Sequence, residues 1–306
     1  MAYNVKSIRK QFAERGIFHT DRALAEMLRS FIPGDIDEVY DPTCGAGDLL
    51  AVFPDDVAKY GQEIEPDFVA DAAALPNAHI ATGDTLHAPA FADRRFRAIV
   101  ANPPFSVKWK PMEGDPRFDA APCLPPPSRA DWAFLLHCLW MLADDGVCAA
   151  LSFPGILYRG QREGRIRQWF VEQGYIHEIH AIEGGHFVDT KTETALLIIR
   201  KTPARDILFV HNATGRSRRV GIGEIHAHGF NLSINTYVDT CDAPPMPEVD
   251  PVELENTARA RALRKIEAEI SFSLMVADLE GYAADPFIED IIALANKFRK
   301  QPLLFT

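Results

Sequence analysis

The chain has 306 residues, 47% of them hydrophobic, enough to bury one large core and a smaller element. Its formal net charge of −11 argues against a protein that grips nucleic-acid phosphates unaided, because that affinity comes from clustered Lys and Arg. No apolar stretch is long enough to span a bilayer, no charged and then apolar leader opens the sequence, and five scattered cysteines without a Cys-x-x-Cys pair suit a reduced, cytoplasmic setting.

Near the start, Phe18-His19-Thr20-Asp21 precedes Leu24, Leu28 and Ile32 at helical spacing. Thr20 is the expected N-cap, with Asp21 at the first helical position, where the positive helix end favours an acid. Next comes Glu38-Val39-Tyr40-Asp41-Pro42-Thr43-Cys44-Gly45-Ala46-Gly47-Asp48, a short strand followed by a glycine turn and a helix. Gly45 and Gly47 would let the backbone approach a ligand closely, and Asp41 at the strand end can hold an ammonium group or a water. The small Cys44 in this turn is expected to pack. A second strand over 59–64 carries Glu63, and an acid about twenty residues beyond a glycine turn is placed to accept the hydroxyls of a ribose. A third strand over 79–84 ends in Asp84, suited to accept from the amino group of an adenine.

The fourth strand, 96–101, runs into Asn102-Pro103-Pro104-Phe105. Two prolines cannot continue a central strand, so the chain stops rigidly at the strand's carboxyl end, where open α/β sheets place ligands. The turn offers the Asn102 amide oxygen, backbone carbonyls and the flat ring of Phe105, a set matched to a planar base with an exocyclic amino group. On these four residues alone, an irregular proline-rich loop is an equal alternative. Lys108 and Lys110 leave this mouth, and a loop containing Pro125-Pro126-Pro127 follows it, bordering the predicted substrate entrance. Other basic groups, at Arg94/Arg95/Arg97, Arg159/Arg162/Arg165/Arg167 and Arg216/Arg218/Arg219, suit ordinary solvated faces as well as a nucleic acid. Further strands are predicted at 146–153, 176–182 and 194–201, making seven that alternate with helices in a doubly wound α/β sheet. His226-x-His228 has no third ligand nearby, so no metal is expected. Leu263, Ile266, Ile270 and Leu274 at helical spacing, and a second amphipathic segment over 286–299, predict a helical tail.

Glycine turn, Glu63, Asp84 and Asn-Pro-Pro-Phe, in this order, resemble the S-adenosylmethionine-dependent DNA adenine-N6 methyltransferases. More narrowly they resemble the modification subunits of type I restriction–modification systems. The likeness extends through Ala130-Asp131-Trp132-Ala133-Phe134-Leu135, the stretch 146–157, and Asn231-Leu232-Ser233-Ile234-Asn235-Thr236-Tyr237-Val238. It implies a Rossmann-like methyltransferase sheet of seven strands, the last inserted antiparallel, with a helical C-terminal tail. The implied domains are a helical segment 1–36 carrying a donor-contacting turn, a catalytic domain 37–241, and a linker with a partner-docking tail, 242–306. S-adenosylmethionine would be the cofactor. Its methionine end would meet His19, Thr20 and Asp41, and Thr43, Gly45 and Gly47 would line its path. Its ribose and adenine would meet Glu63, Ile64 and Asp84, with Asn102 at the methyl group. The substrate would be an adenine flipped from DNA, its amino protons accepted by Asn102 and the Pro103 carbonyl, stacked between Phe105 and Phe187.

The chain departs from the family pattern in having Asp21 where proline is usual, Arg97 where an acid opens the fourth strand, and Asp48-Leu49 for a glycine–aromatic pair. Neither the family's helical domain before the donor turn nor a target-recognition domain of ordinary size is expected within these residues. DNA, a separate specificity subunit and a second copy of the chain are therefore the expected partners. Methylation of RNA or of a protein glutamine, and a scaffold without catalysis, are the rival readings.

Overall fold

The computed structural model of the chain describes residues 20–182 and 193–238; His19, Phe187 and the predicted tail, 242–306, lie outside them. All described residues belong to the unit Met1–Thr240. Helix α1 (Arg22–Ser30) leads into β1 (Glu38–Asp41) and, after the glycine turn, β2 (Ala58–Glu63). Helix α2 (Pro66–Ala73), β3 (Ala78–Thr82), β4 (Phe96–Ala101), the short α3 (Pro116–Asp119) and α4 (Asp131–Met141) follow. Then come β5 (Leu142–Ser152), α5 (Gln161–Glu172), β6 (Ile176–Ile182), β7 (Thr194–Ile199), β8 (Asp206–His211), β9 (Arg216–Gly221) and α6 (Ile222–Ala227).

The strands form one sheet in the order β3-β2-β1-β4-β5-β7-β6-β8-β9. The chain winds outward from β1 to β3 and then returns to place β4 on the other side of β1. This reversal is the switch point at which such sheets bind ligands outside the carboxyl ends of their strands. As expected, β7 runs antiparallel to both β5 and β6. The seven predicted strands are present, and the sheet is wider by two: β8 pairs parallel with β6, and β9 closes that side antiparallel to β8.

Strand alternation explains why the sheet is buried on both sides. Tyr40, Ile99, Ala101, Cys148, Ala150, Leu197 and Ile199 join one apolar cluster, with α4 and Ile166 and Phe170 of α5. Their neighbours Val39, Ala98, Val100, Val147, Ala149, Leu196 and Ile198 join another, with Leu24, Ala25 and Leu28 of α1. At about 1.5–3 kcal/mol per large apolar side chain, β7 alone, buried at all six positions, makes a large contribution to stability.

Three local features depart from the expectations. The N-cap of α1 is Asp21, whose side chain accepts from the Leu24 N–H at 2.7 Å; Thr20 lies one residue outside the helix. Both residue types cap well, and only the chain's path decides between them. Arg167 is 4% exposed and donates to the carbonyls of Ile156, Arg159 and Phe230, so it is a structural clamp and not part of a basic surface. Gly47 has a φ of +92°, and a Cβ there would lie 2.7 Å from Leu75 and 3.2 Å from the Ala72 backbone. Its lack of a side chain is needed for packing of the turn against α2.

The proline-rich segment is tied down. The main-chain N–H of Trp109 donates to Pro127 and its indole N–H to Pro126, both at 3.0 Å, and the Ala130 N–H donates to Val107 at 2.9 Å. Asn231 and Tyr237 hold the last described segment. The Asn231 side chain accepts from Ser233, the Leu232 N–H donates to Leu157, and Tyr237 packs on Phe209 with ring centroids 4.5 Å apart. Among the described residues no helix is long and apolar enough to cross a membrane.

A lysine stitches the amino end of β2 to its surroundings. Lys59 is 1% exposed, and its ammonium donates to the carbonyls of Pro54, Val57 and Pro76 at 2.7–3.1 Å, matching three donors to three acceptors. Replacing Lys59 by Ala should cost about 1–3 kcal/mol of unfolding free energy, read as a lower urea midpoint with unchanged slope, because buried carbonyls lose their partner.

Candidate active site

At the carboxyl edge of β2, β1 and β4 a cavity of about 280 Å³ opens, close to the lower end of small-ligand pockets at about 300 Å³. Thr20, Asp41, Thr43, Gly45, Glu63, Ile64, Asp84 and Asn102 all line it, so residues spread over 82 positions of sequence converge on one cavity. Gly47, Pro103 and Phe105 do not line it. Phe105 is half-buried, packed against the cluster that contains Val100 and Leu151. His19 and Phe187 lie outside the described residues.

Carboxylates dominate the wall. Asp41, Asp48, Glu63, Glu65 and Asp84 line the cavity, with Lys108 and His87 the basic side chains there. Each of four acids is fixed by main-chain N–H groups. Asp41 accepts from Thr43 at 2.9 Å, and Asp48 accepts from Thr20 at 3.1 Å. Glu63 accepts from Gly45 with one oxygen at 2.9 Å and from Ile64 and Glu65 with the other at 2.8 and 2.9 Å. Asp84 accepts from Leu86 at 2.8 Å, and its other oxygen is 2.7 Å from Nδ1 of His87. Nε2 of His87 lies 3.0 Å from the carbonyl of Lys110, so both ring nitrogens face acceptors. Glu63 therefore also anchors the glycine turn, a duty its spacing alone does not disclose.

Gly45 has a φ of +53°, and a Cβ there would meet nothing within 4 Å, so the turn presents open backbone to the cavity. Gly61 of β2 makes room for the turn, since a Cβ on it would lie 2.8 Å from the Cys44 sulfur. Ile64 is 58% exposed on the cavity wall, an apolar surface on which a planar ring can lie. A wall rich in carboxylates, open glycine backbone and an exposed apolar side chain fit a positively charged nucleoside such as S-adenosylmethionine, which carries a sulfonium and an ammonium group.

Asn102 stands at the end of β4, and its amide nitrogen donates to Oγ1 of Thr20 at 3.0 Å. The amide oxygen is thereby left to accept. Asp131 receives the main-chain N–H of Ser106 at 3.2 Å, fixing the exit of the Asn-Pro-Pro-Phe turn.

A buried polar network supports the Asp84 loop from beneath. Arg117 of α3 is 4% exposed and donates to the carbonyls of Thr85 and Leu86 and to the Asp115 carboxylate. It also donates to Nδ1 of His137 at 3.1 Å, which leaves the other ring nitrogen to donate to the Tyr40 hydroxyl at 3.0 Å. Burial and the adjacent guanidinium push the His137 pKa down to about 3, so the ring is neutral, as this pattern requires. Thr85 in turn donates to the Pro42 carbonyl. Sequence reasoning missed Thr85, His87 and Arg117, and also Gln62, which lines the cavity, donates to the Ala88 carbonyl and accepts from the Ala90 N–H, both at 2.9 Å. None lies in a motif, and a charged residue between prolines gives no sign of burial.

Asp41 is 1% exposed, and desolvation, reinforced by Glu63 and Asp48, pushes its pKa up to about 8. In the unfolded chain the group ionises near 3.8. Its folded pKa is raised, so its contribution to stability is complete below about pH 4 and is lost as the pH rises toward 8. Asp41→Asn keeps an acceptor for Thr43 and removes this dependence. Thermal melts of the ligand-free protein should show the variant gaining stability over the parent between pH 5 and pH 8, on the order of a few kcal/mol at the upper end. Parallel melting curves across that range would refute the assignment.

A sequence profile of the N-6 DNA Methylase family matches residues 5–217. The chain is 31% identical over 218 residues to the type I restriction enzyme MpnII methylase subunit of Mycoplasma pneumoniae, an alignment covering 61% of this chain and 40% of that protein. It is 25% identical over 218 residues to the type I restriction enzyme HindI methylase subunit of Haemophilus influenzae, covering 64% of this chain and 49% of the relative. Among solved structures, the type I restriction-modification system methyltransferase subunit of Streptococcus thermophilus shares the fold with a TM-score of 0.67 and 28% identity, over 72% of this chain and 59% of that one. The chain thus spans less than two thirds of the length of each of these proteins. With its glycine turn, strand-end acids and Asn-Pro-Pro-Phe mouth inside the matched region, the chain belongs to the N-6 DNA methylase family.

Proposed function

We propose that this chain transfers the methyl group of S-adenosylmethionine to the N6 amino group of an adenine flipped out of DNA, as the modification subunit of a restriction–modification assembly. One observation carries the reading: Asn102 stands at the mouth of a carboxylate-lined cavity with its amide nitrogen engaged and its oxygen left to accept. Family membership and the similarity to type I methylase subunits support it.

Bound in the cavity, S-adenosylmethionine supplies an electrophilic methyl group on a sulfonium centre. Glu63 would accept from a ribose hydroxyl with the one lone pair its three main-chain bonds leave unused, on the oxygen bound by Gly45, Asp84 would accept from the adenine amino group, and Asp41 would face the ammonium. Thr43 and the open backbone at Gly45 would line the path between them, and Ile64 would cover one face of the adenine. The target adenine's amino nitrogen is a weak nucleophile because its lone pair is delocalised into the ring. The Asn102 oxygen and the Pro103 carbonyl would accept its two protons and favour a tetrahedral nitrogen. Acceptors already in place stabilise the positive charge that develops there as the carbon–nitrogen bond forms. Holding both reactants in line can contribute roughly 7–11 kcal/mol. Phe105, outside the donor cavity, would stack on the extruded base, whose removal from the duplex costs a few kcal/mol.

Asn102→Ala should leave donor affinity within about twofold, yet lose nearly all adenine methylation, because the lost acceptor matters most in the transition state. Calorimetry and transfer of labelled methyl groups measure the two separately, and near-normal transfer would reject the mechanism. Glu63→Ala should weaken donor binding at least tenfold, about 1.4 kcal/mol, from loss of ribose contacts and of the Gly45 anchor.

Sequence reading requires groups that reach base edges in a groove. With a net charge of −11, the chain by itself should bind duplex DNA weakly, with little sequence preference and with affinity falling as salt rises. A specificity subunit, docked through the helices predicted over 251–306, would supply recognition, and a second copy of this chain would complete the assembly. Filter binding at several salt concentrations, with and without a co-expressed specificity subunit, tests this. Tight sequence-specific binding by the isolated chain would overturn it.

A further inference from the structure

We propose that Asp131 is a positioning residue for Phe105: its carboxylate selects the orientation of the Phe105–Ser106 peptide and so holds the turn that carries the base-stacking ring. The inference rests on the function proposed for Phe105 and adds a residue that acts through it. Ser106 has a φ of +53°, in the left-handed region that disfavours any residue with a Cβ. It is exposed, so packing of its side chain does not explain the conformation. In a tight turn, the residue after the middle peptide has a positive φ in one form and a negative φ in another, and the two differ by turning that peptide over. Ser106 could shed its strain by this route. Something must therefore hold the middle peptide in the less favourable orientation.

The contact with Asp131 does so. The Ser106 main-chain N–H donates to Oδ1 of Asp131 at 3.2 Å. An N–H can only donate and a carboxylate can only accept, so the bond has a single sense. Turning the peptide over would withdraw the N–H and bring the Phe105 carbonyl toward the carboxylate, setting acceptor against acceptor. Asp131 is buried at the start of α4. Burial pushes its pKa up, while the Ser106 N–H and the nearby Arg159 and Arg129 favour the charged, acceptor-only form. The flanks of the turn are fixed independently. On one side Pro103 and Pro104 have their φ locked. On the other, the Val107 carbonyl accepts from the Ala130 N–H at 2.9 Å, and the Trp109 N–H donates to Pro127 at 3.0 Å. Phe105 and Ser106 form the turn between these anchored stretches, so the peptide they share sets how the chain joins them and how the Phe105 ring is aimed. A ring that samples two poses captures a base less well than one already in place.

Ser106→Gly is the discriminating change, because glycine removes the strain at φ +53° and, at an exposed position, little else. Methyl transfer to amplified, unmethylated genomic DNA of the same organism would be followed in the complex co-purified on the tagged full chain, with donor affinity measured in parallel. Asp131→Ala should raise the KM for DNA by about fivefold or more, with a smaller change in kcat and donor affinity within about twofold. Adding Ser106→Gly should recover most of that loss, whereas Ser106→Gly in the parent should change KM by less than about twofold. Asp131 also lies in the first turn of α4, where an acid favours the helix. A loss through the helix would not be repaired at Ser106. Asp131→Asn keeps the shape should Asp131→Ala fail to fold. Its amide can accept from an N–H or donate to a carbonyl, so it no longer selects; KM should rise about threefold and recover with Ser106→Gly. A readout independent of turnover uses the full chain labelled with ¹⁵N-serine. The Ser106 main-chain signal, identified by its disappearance in Ser106→Gly, should exchange faster with solvent in the Asp131 variants. An unchanged KM in both Asp131 variants, or a rise that persists undiminished alongside Ser106→Gly, would overturn the proposal. Should Phe105→Ala itself leave KM unchanged, it is the stacking reading of Phe105 that fails; should only the Asp131 variants be silent, the positioning role alone fails.

Discussion

Main-chain N–H groups that clamp carboxylates are the interaction on which this site depends. Asp41, Asp48, Glu63 and Asp84 crowd one cavity and repel one another, yet each is anchored by at least one backbone donor. Anchoring depends on the turns, because only there are backbone N–H groups not consumed by a strand ladder or a helix. Three N–H groups surround Glu63, whereas Asp41 has one and is buried, and its raised pKa reflects that imbalance. Such crowding is electrostatically unfavourable, and a cationic ligand would relieve it.

Rigidity beneath the acids comes from a different set of contacts. Arg117 ties the Thr85 and Leu86 carbonyls to His137 and Tyr40, bringing the loop after β3, the segment after β4 and two core elements into one buried network. Such a network is stable only when every member is satisfied. A neutral His137, accepting on one nitrogen and donating on the other, allows this. The position of Asp84 is therefore controlled by residues far from it in sequence.

The strands and the strand-end acids were legible because both follow local rules: apolar runs mark buried strands, and side chains at their carboxyl ends face the ligand edge. Elements outside those rules were not. β9 escaped because it has exposed residues at five of its six positions and so lacks the apolar run of an inner strand; β8 does carry one, Ile207-Leu208-Phe209-Val210, in a strand no shorter than β7. Arg167 read as one of a basic group and Arg117 was not singled out; the burial of both depends on carbonyls that only the tertiary fold supplies. Gly47 illustrates the same limit: a glycine in a binding turn suggests ligand approach, whereas here α2 leaves no room for a side chain.

The outermost strand has one further consequence. β9 pairs with β8 along one side, and its sequence places Arg216, Arg218 and Arg219 along a six-residue edge. Arg218 and Arg219 are matched by Glu224 and Asp206 of the same molecule, so their charge is held close to the edge at little cost. A strand margin studded with guanidinium groups is a poor template for the margin of another molecule, since like charges would face each other across the new ladder. Among the described residues β9 pairs on one side alone, and its arginines disfavour fibrous self-association along the other.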